Sequence, residues 1–436
     1  MEEAVGHAAP VTNTIENVEI LMLIAAIVAM IAHRFRLPYT VGLVLAGVVM
    51  AVTRLVPDVS LTKELIFTAF LPPLVFEAAF YIQWRELRRD FIPVITLASF
   101  GVLISGALVA TGMHFLVGWE WAPALVFGAL IAATDPVSVI AIFKEAGVHG
   151  RLRLLVEAES LLNDGAAAVI FTVILATVSG AELTAGGVAW QFVSMVVGGV
   201  ACGLGVGWVL LLLAGRTEDH LVEITFTTVA AYGSFLLAEH FHFSGVLATL
   251  SCGLLLGNVG SLGAISDRGR EAVGSFWEYA AFVANSLVFL LIGITEGKVA
   301  FLPLLPALLI AIVIVTAARG VVYPLSAIFA RTEHRIEPRY QHVLFWGGLR
   351  GALSLALVLG LPDSMPRKGE ITVVAFGVVA FSIIVQGVTM QPLLAKLGLM
   401  PKPEEKVAPW ELGPEEGEQA AVENSGVEAG ASGEKH

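Results

Sequence analysis

The sequence predicts an all-α polytopic membrane protein of about thirteen transmembrane helices, and three observations carry that expectation. Hydrophobic residues make up 57 % of the 436 and only 14 % are charged, against roughly 25 % charged in ordinary globular domains. The mean hydropathy is +0.83. The apolar residues also gather into runs near the ~20 residues that a bilayer core requires, separated by short polar breaks.

Thirteen such runs lie at about 15–32, 41–56, 65–82, 91–117, 123–143, 154–178, 190–214, 221–239, 244–260, 276–294, 302–330, 341–361 and 371–395. The second is short enough to be re-entrant. Before the first run, residues 1–14 open with Glu2 and Glu3, not the basic stretch of a cleavable signal peptide. After the last, residues 396–436 hold Pro, Gly and Glu with too little apolar surface to offset ordering entropy, so an acidic disordered tail is expected. Half of the formal charge of −12 sits from Pro401 onward, so the net charge says little about partners. No basic stripe with interleaved aromatics points to nucleic acid. Cys202 and Cys252 both fall inside apolar runs, which leaves neither a disulfide framework nor a CxxC metal site.

Loop charge sets the orientation. Loops after the odd-numbered runs, together with Arg216, Arg268 and Arg270, carry fourteen Lys and Arg, and the segment from Lys396 carries four more. The opposite face carries five: Arg54, Lys63, Lys298, Arg367 and Lys368. The positive-inside rule then places the amino terminus outside and the acidic tail in the cytoplasm.

A long internal repeat is also legible. Runs four to six and eleven to thirteen form two triplets offset by seven spans, and an odd offset inverts the second relative to the first. The middle member of each is interrupted, run five by Thr134, Asp135 and Pro136, run twelve by Trp346 to Ala352. Interrupted spans at matching positions of two inverted halves mark a secondary-transporter binding site, and backbone opened at that depth must be buried or line a cavity.

Ionisable side chains within spans cost ~2.5 to 3.5 kcal/mol each, so each one needs a reason. The candidates are Glu77, Asp135, Glu159, Asp164, Arg319 and Arg350. Glu223, Glu239 and Glu278 lie nearer span ends and read as interfacial carboxylates. Ser160, Asn163 and Asp164 follow i, i+3, i+4 spacing and project from one helical face. Their oxygens suit a hard monovalent cation; the bland alternative is a polar helix–helix contact. Glu159 points about 140° away on a ~100°-per-residue wheel, so the two acids serve different partners. Pro136 frees carbonyls near Thr134, and these with Asp135 extend the oxygen site. Arg350, flanked by glycines, compensates the carbonyl end of a broken helix. Arg319 needs a buried anion, and Glu159 is the acid left once Asp164 is given to a cation, so a structural Glu159–Arg319 ion pair is expected. Glu77, after Pro72 and Pro73, is either a second carboxylate near the site or a cavity-lining residue.

The stretches FLPPLVFEAAF (70–80), ATDPVSV (133–139), ESLLNDG (159–165), ARGVVYP (318–324), GGLRGALSLAL (347–357) and FSIIVQGVTMQPL (381–393) together resemble the cation:proton antiporter-1 family, the sodium/proton exchangers of bacteria, archaea and eukaryotes. The resemblance implies two crossed, broken helices and a homodimer. By its pattern residues 15–90 hold dimerisation-domain helices 1–3 and 91–178 core helices 4–6. Residues 190–294 hold a linker helix and further dimerisation helices, and 302–395 core helices 11–13. It further implies Asp164 as the ion- and proton-binding carboxylate, with Asp135, Ser160 and the Thr134 main chain as Na+ ligands. Glu77 would act through water, Asn163 would support the site, and Glu159 would pair with Arg319.

The expected function is Na+/H+ exchange across the cytoplasmic membrane, without a cofactor and without enzyme activity, in sodium extrusion and pH and salt homeostasis. Asn163, where electrogenic relatives carry a second Asp, favours one-for-one electroneutral exchange. K+ or Li+ as the cation, or a gated cation channel, are the alternatives. A channel needs a continuous conducting path, whereas this chain offers one site between inverted repeats. An intramembrane hydrolase lacks support: His33, His114, His149, His240 and His242 have no nucleophile beside them at membrane depth, and GxSxG is absent.

Overall fold

Backbone polar groups cannot stay unpaired in hydrocarbon, so apolar runs of this length fold as helices that satisfy their own hydrogen bonds. The computed structural model describes residues 8–35, 38–53, 61–180, 184–214, 219–259, 266–297, 299 and 301–400. Its helices are α1 Ala8–Phe35, α2 Tyr39–Thr53, α3 Leu71–Tyr81, α4 Trp84–Thr96, α5 Val102–Gly112, α6 Trp121–Ile131, α7 Pro136–Ala146, α8 Arg151–Val178 and α9 Ala185–Ala214. The chain continues through α10 His220–His240, α11 Gly245–Val259, α12 Asp267–Glu296, α13 Leu305–Ala318, α14 Val322–Ile328, α15 Pro338–Trp346, α16 Ala352–Leu359, α17 Lys368–Phe381 and α18 Gly387–Lys396.

Among the described residues, eight helical stretches are long and apolar enough to cross a membrane, and Asn17–Ala32, Tyr39–Thr53, Leu65–Tyr81 and Gly245–Val259 are shorter apolar helices beside them. This is a multi-pass integral membrane protein. Every apolar run read from the sequence has one of these stretches, or the interrupted pair α15 and α16, as its counterpart. Several spans are built of joined pieces. A π-helical turn at Leu97–Gly101 links α4 to α5, a 3-10 turn at Arg319–Val321 links α13 to α14, and a π turn at Ser382–Gln386 links α17 to α18. Such departures from α geometry bend a helix and turn selected side chains inward.

Two boundaries differ from the sequence reading. α1 begins at Ala8, so half of the expected external segment 1–14 is helical and the rest lies outside the described residues. α4 begins at Trp84, so the boundary expected at residue 90 falls inside a helix. Hydropathy missed those first turns because they are amphipathic: Leu87 and Asp90 are buried while Arg85, Arg88 and Arg89 face outward. At the other end α18 stops at Lys396, and the acidic stretch from 401 lies outside the described residues. So do Arg36, Arg54, Arg216 and Lys298 among the orienting bases.

Small residues let helices touch. A Cβ on Gly47 would stand 2.3 Å from Leu290 O, and one on Gly293 would stand 2.1 Å from Val44 O, so α2 and α12 pack backbone to backbone. Gly128 on α6 meets Gly106 on α5 in the same way, at 2.3 Å from the carbonyl oxygen. In lipid, close van der Waals approach of this kind supplies association that hydrophobicity cannot. Burial differs between spans: a strongly apolar 18-residue segment within Trp121–Lys144 is 78 % buried, against 28 % for one within Gly186–Leu213. On α9 the exposed side chains Trp190, Val197, Trp208 and Leu212 make a face suited to lipid or to another subunit.

Candidate ion-binding site

The site forms where the two interrupted spans meet. α6 ends at Ile131, and residues 132–135 are not helical before α7 starts at Pro136. Proline in a first turn loses no hydrogen bond and has a suitable φ, so Pro136 starts a new helix and does not kink a continuous one. Asp135 is its N-cap. The carboxylate accepts from Val137 N at 3.2 Å, Ser138 N at 3.3 Å and Ser138 Oγ at 2.5 Å, which satisfies donors that a helix start leaves free. In the second repeat α15 ends at Trp346 and α16 starts at Ala352, and 348–351 are not helical.

The two breaks satisfy each other. Asp135 N donates to Leu349 O at 2.7 Å, and Arg350 Nη1 donates to Ala133 O at 2.9 Å. Arg350 thus reaches the carbonyl side of the first break, and its own backbone N is held by Ser382 Oγ at 2.9 Å. The approach is close enough to require glycine: a Cβ on Gly351 would lie 2.6 Å from both Cβ and Cγ of Asp135.

α8 passes beside this crossing as an unbroken helix. Its Glu159 receives Arg319 Nη1 and Nη2, each at 2.9 Å, in a fork-on-fork pair, and Arg319 Nε donates to Leu344 O at 3.1 Å. Gly348 makes room for that guanidinium, since a Cβ there would stand 2.5 Å from Nε. Asp164, five residues after Glu159, faces elsewhere. It is only 5 % exposed, and its Oδ1 has no hydrogen-bond partner. Thr134 Oγ1 donates to Ser160 Oγ at 3.2 Å, which ties the first break to α8.

Asp164, Asp135 and Thr134 line one cavity of about 20 Å³, whose other walls include Leu71, Leu74 and Val75 of α3, Leu161, and Gly351 to Ser354. A volume of that order holds one water-sized body, hence one dehydrated monovalent cation. Ser160 reaches the group through Thr134. Asn163 turns toward Glu159, its Nδ2 donating to Oε1 at 3.3 Å, and its Oδ1 is unpaired; on the helical wheel it falls between the two acids. Glu77 does not line this cavity. It lines a separate one of about 510 Å³ with Lys144, Arg153, Glu157 and Glu278, beside α3, α7 and α8.

Sequence reasoning missed several buried polar groups. Glu157 pairs with Arg153 at 3.5 Å, and Asp90 takes Arg151 in a two-pronged pair at 2.6 and 2.9 Å, while Arg151 also donates to Arg335 O. Ser138 and Ser382, which fix Asp135 and Arg350, carried no signal beyond their place near the breaks. Glu223, read as interfacial, is buried and accepts from Ser266 N at 3.0 Å and Ser266 Oγ at 3.2 Å, anchoring the start of α12. The reading failed because a span end in sequence is not an exposed end once another helix covers it.

Among the described residues, a helical bundle with two interrupted helices, their breaks bonded to each other beside a cavity lined by buried carboxylates, defines an ion-transporter architecture. Residues 20–396 match the family model described as "Sodium/hydrogen exchanger, transmembrane", and the chain belongs to that family. The Na(+)/H(+) antiporter ApNhaP of Aphanothece halophytica is 40 % identical over 409 residues, covering 92 % of this chain and 78 % of that one. The Na(+)/H(+) antiporter NhaP of Pseudomonas aeruginosa is 32 % identical over 411 residues, 86 % of this chain and 97 % of that one. The structure of the sodium proton antiporter MjNhaP1 from Methanocaldococcus jannaschii at pH 8 matches with a TM-score of 0.70 over 89 % of this chain and 99 % of that one. At 21 % identity this likeness speaks to the fold alone.

Proposed function

We propose that the chain is a secondary active transporter that exchanges Na+ for H+ across the cytoplasmic membrane, both ligands competing for Asp164. One observation carries the reading: a buried carboxylate with an unpartnered oxygen lines a cavity of about one ion's size, at the crossing of two broken helices. Asp135, Thr134 and, behind Thr134, Ser160 supply further oxygens. A carboxylate that holds a proton or a cation, but not both, is sufficient for exchange, because each ligand displaces the other.

Charge around the site supports one-for-one stoichiometry. Asp135, Glu159 and Asp164 are buried with Arg319 and Arg350, so three carboxylates face two guanidiniums. One proton or one Na+ neutralises the remaining negative charge. The loaded site is then cheap to move past the apolar wall of Leu71, Leu74, Val75 and Leu161, whereas the empty, charged one is held back. Movement of the repeats built on α4–α8 and α13–α18 against the remaining helices would expose the site alternately to either side.

In this reading the chain crosses the membrane thirteen times, with the amino terminus outside and the acidic tail in the cytoplasm. It works as a homodimer and serves sodium extrusion and pH and salt homeostasis. The relatives named as Na(+)/H(+) antiporters favour Na+ over K+ as the cation. The test is proton flux in proteoliposomes on adding Na+, Li+ or K+, with and without an imposed potential. Na+-driven flux that is independent of potential and absent in Asp164→Asn is expected. Persistent exchange in that variant would remove Asp164 from its role.

A further inference from the structure

Ser354 sits in the first turn of α16, three residues after Gly351, the glycine that abuts Asp135. It is 0 % exposed, and its Oγ has no hydrogen-bond partner among the described residues. Helical serines commonly return their hydroxyl to a carbonyl one turn back, as Ser251 does here at 2.7 Å; Ser354 does not. An unpaired buried hydroxyl is costly and rare, so it needs an explanation. Ser354 is also one of the residues lining the cavity of about 20 Å³ that holds the unpaired Oδ1 atom's carboxylate, Asp164.

The two residues that carry these orphaned oxygens, Asp164 on α8 and Ser354 on α16, therefore line one space of single-ion size. Resting on the exchange function proposed above, we infer that Ser354 Oγ is a direct ligand of the transported cation, contributed by the second repeat. The site is then shared: α8 and the first break supply the carboxylates, and α16 supplies a neutral oxygen. A neutral hydroxyl adds coordination without adding charge, so it favours the cation over the proton, which needs only one oxygen. It also makes the site complete only while the two broken helices stay in register.

Buried orphan hydroxyls elsewhere provide a control. Ser326 Oγ on α14 is likewise buried and unpaired, but it does not line the cavity. The experiment compares Ser354→Ala, the near-isosteric Ser354→Cys and Ser326→Ala in the full-length protein, reading Na+-dependent proton flux and the rise in melting temperature produced by NaCl or LiCl over choline chloride. Both Ser354 variants are expected to raise the half-saturating Na+ concentration about five- to tenfold, the effect of losing one oxygen contact. They should also change the Na+/Li+ preference and shrink the Na+-induced rise in melting temperature. Ser326→Ala should keep the parent's half-saturation. Should the Ala variant assemble poorly, the Cys variant gives the same reading. Half-saturation and selectivity within twofold of the parent in both Ser354 variants would overturn the inference, as would an equal shift in Ser326→Ala. Absence of Na+-driven flux in the parent would instead overturn the exchange function itself.

Discussion

Arg350 reaches from the second broken helix to the carbonyl of Ala133 at the end of the first, Nη1 to O at 2.9 Å, while Asp135 N returns a bond to Leu349 O at 2.7 Å. The crossing is thus stitched in both directions. Truncation in Arg350→Ala leaves a buried carbonyl unpaired, costing about 1–3 kcal/mol. Arg350→Lys keeps the charge but loses the planar fork. Both variants should melt at lower temperature in detergent and lose most Na+-driven proton flux, with Lys the milder.

Glu159 and Arg319 are both buried and joined by two bonds of 2.9 Å. Removing one partner leaves an uncompensated charge, so Glu159→Gln or Arg319→Ala should destabilise by ~3–5 kcal/mol, and the double change Glu159→Leu with Arg319→Met should recover much of it. By contrast the pair Lys144–Glu278 spans 3.5 Å with side chains 49 % and 66 % exposed. Lys144→Ala should shift stability by less than ~1 kcal/mol. Thermal unfolding of all four variants, each beside the parent, checks the ranking.

Gly351 has no room for a side chain against Asp135. Overpacking of a rigid contact costs about 1–3 kcal/mol, and relief here must come by moving Asp135 or parting the breaks. Gly351→Ala should raise the half-saturating Na+ concentration severalfold more than it lowers the melting temperature of the ion-free protein would suggest. Flux and melting measured on the same preparation separate the two effects.

Arg367 donates to Glu120 at 2.7 Å and to Glu370 at 2.9 Å, tying the turn before α6 to the start of α17. The hydrogen bond from Arg367 holds the Glu120 carboxyl below its usual range, and Lys368 does the same for Asp363. A depressed carboxyl contributes stability above its unfolded pKa and loses it as pH falls through the folded value. Glu120→Gln should therefore lower the melting temperature slightly at neutral pH, and the difference should close below about pH 4. Substituting Glu120 avoids Arg367 itself, which sits at φ 58°, where any replacement also alters backbone strain.

Much of this was legible in the sequence because lipid restricts the choices. An apolar run of sufficient length has helix as its solution, and an acid within it must find a partner, so the spans, the interrupted pair and the joining of Glu159 with Arg319 could be reasoned in one dimension. Where polarity was mixed the reading weakened. α4 starts at Trp84 under five charged residues between Arg85 and Asp90, which a hydropathy window rejects although one face is buried. Glu223 is buried because other helices cover what its sequence position suggested was an interface, and Glu157, which the sequence did not single out, is buried on α8.

By itself the sequence determined the membrane class, the order of spans and which side chains require a partner at depth, since those follow from composition and from the free energy of placing each group in hydrocarbon. Tertiary structure alone decided which oxygens share a space. Thr134, Asp135 and Ser354 stand more than two hundred residues apart along the chain at their extremes, and only the crossing of two broken helices brings them around Asp164. That crossing depends on backbone bonds and on the missing side chain of Gly351, neither of which has a hydropathy.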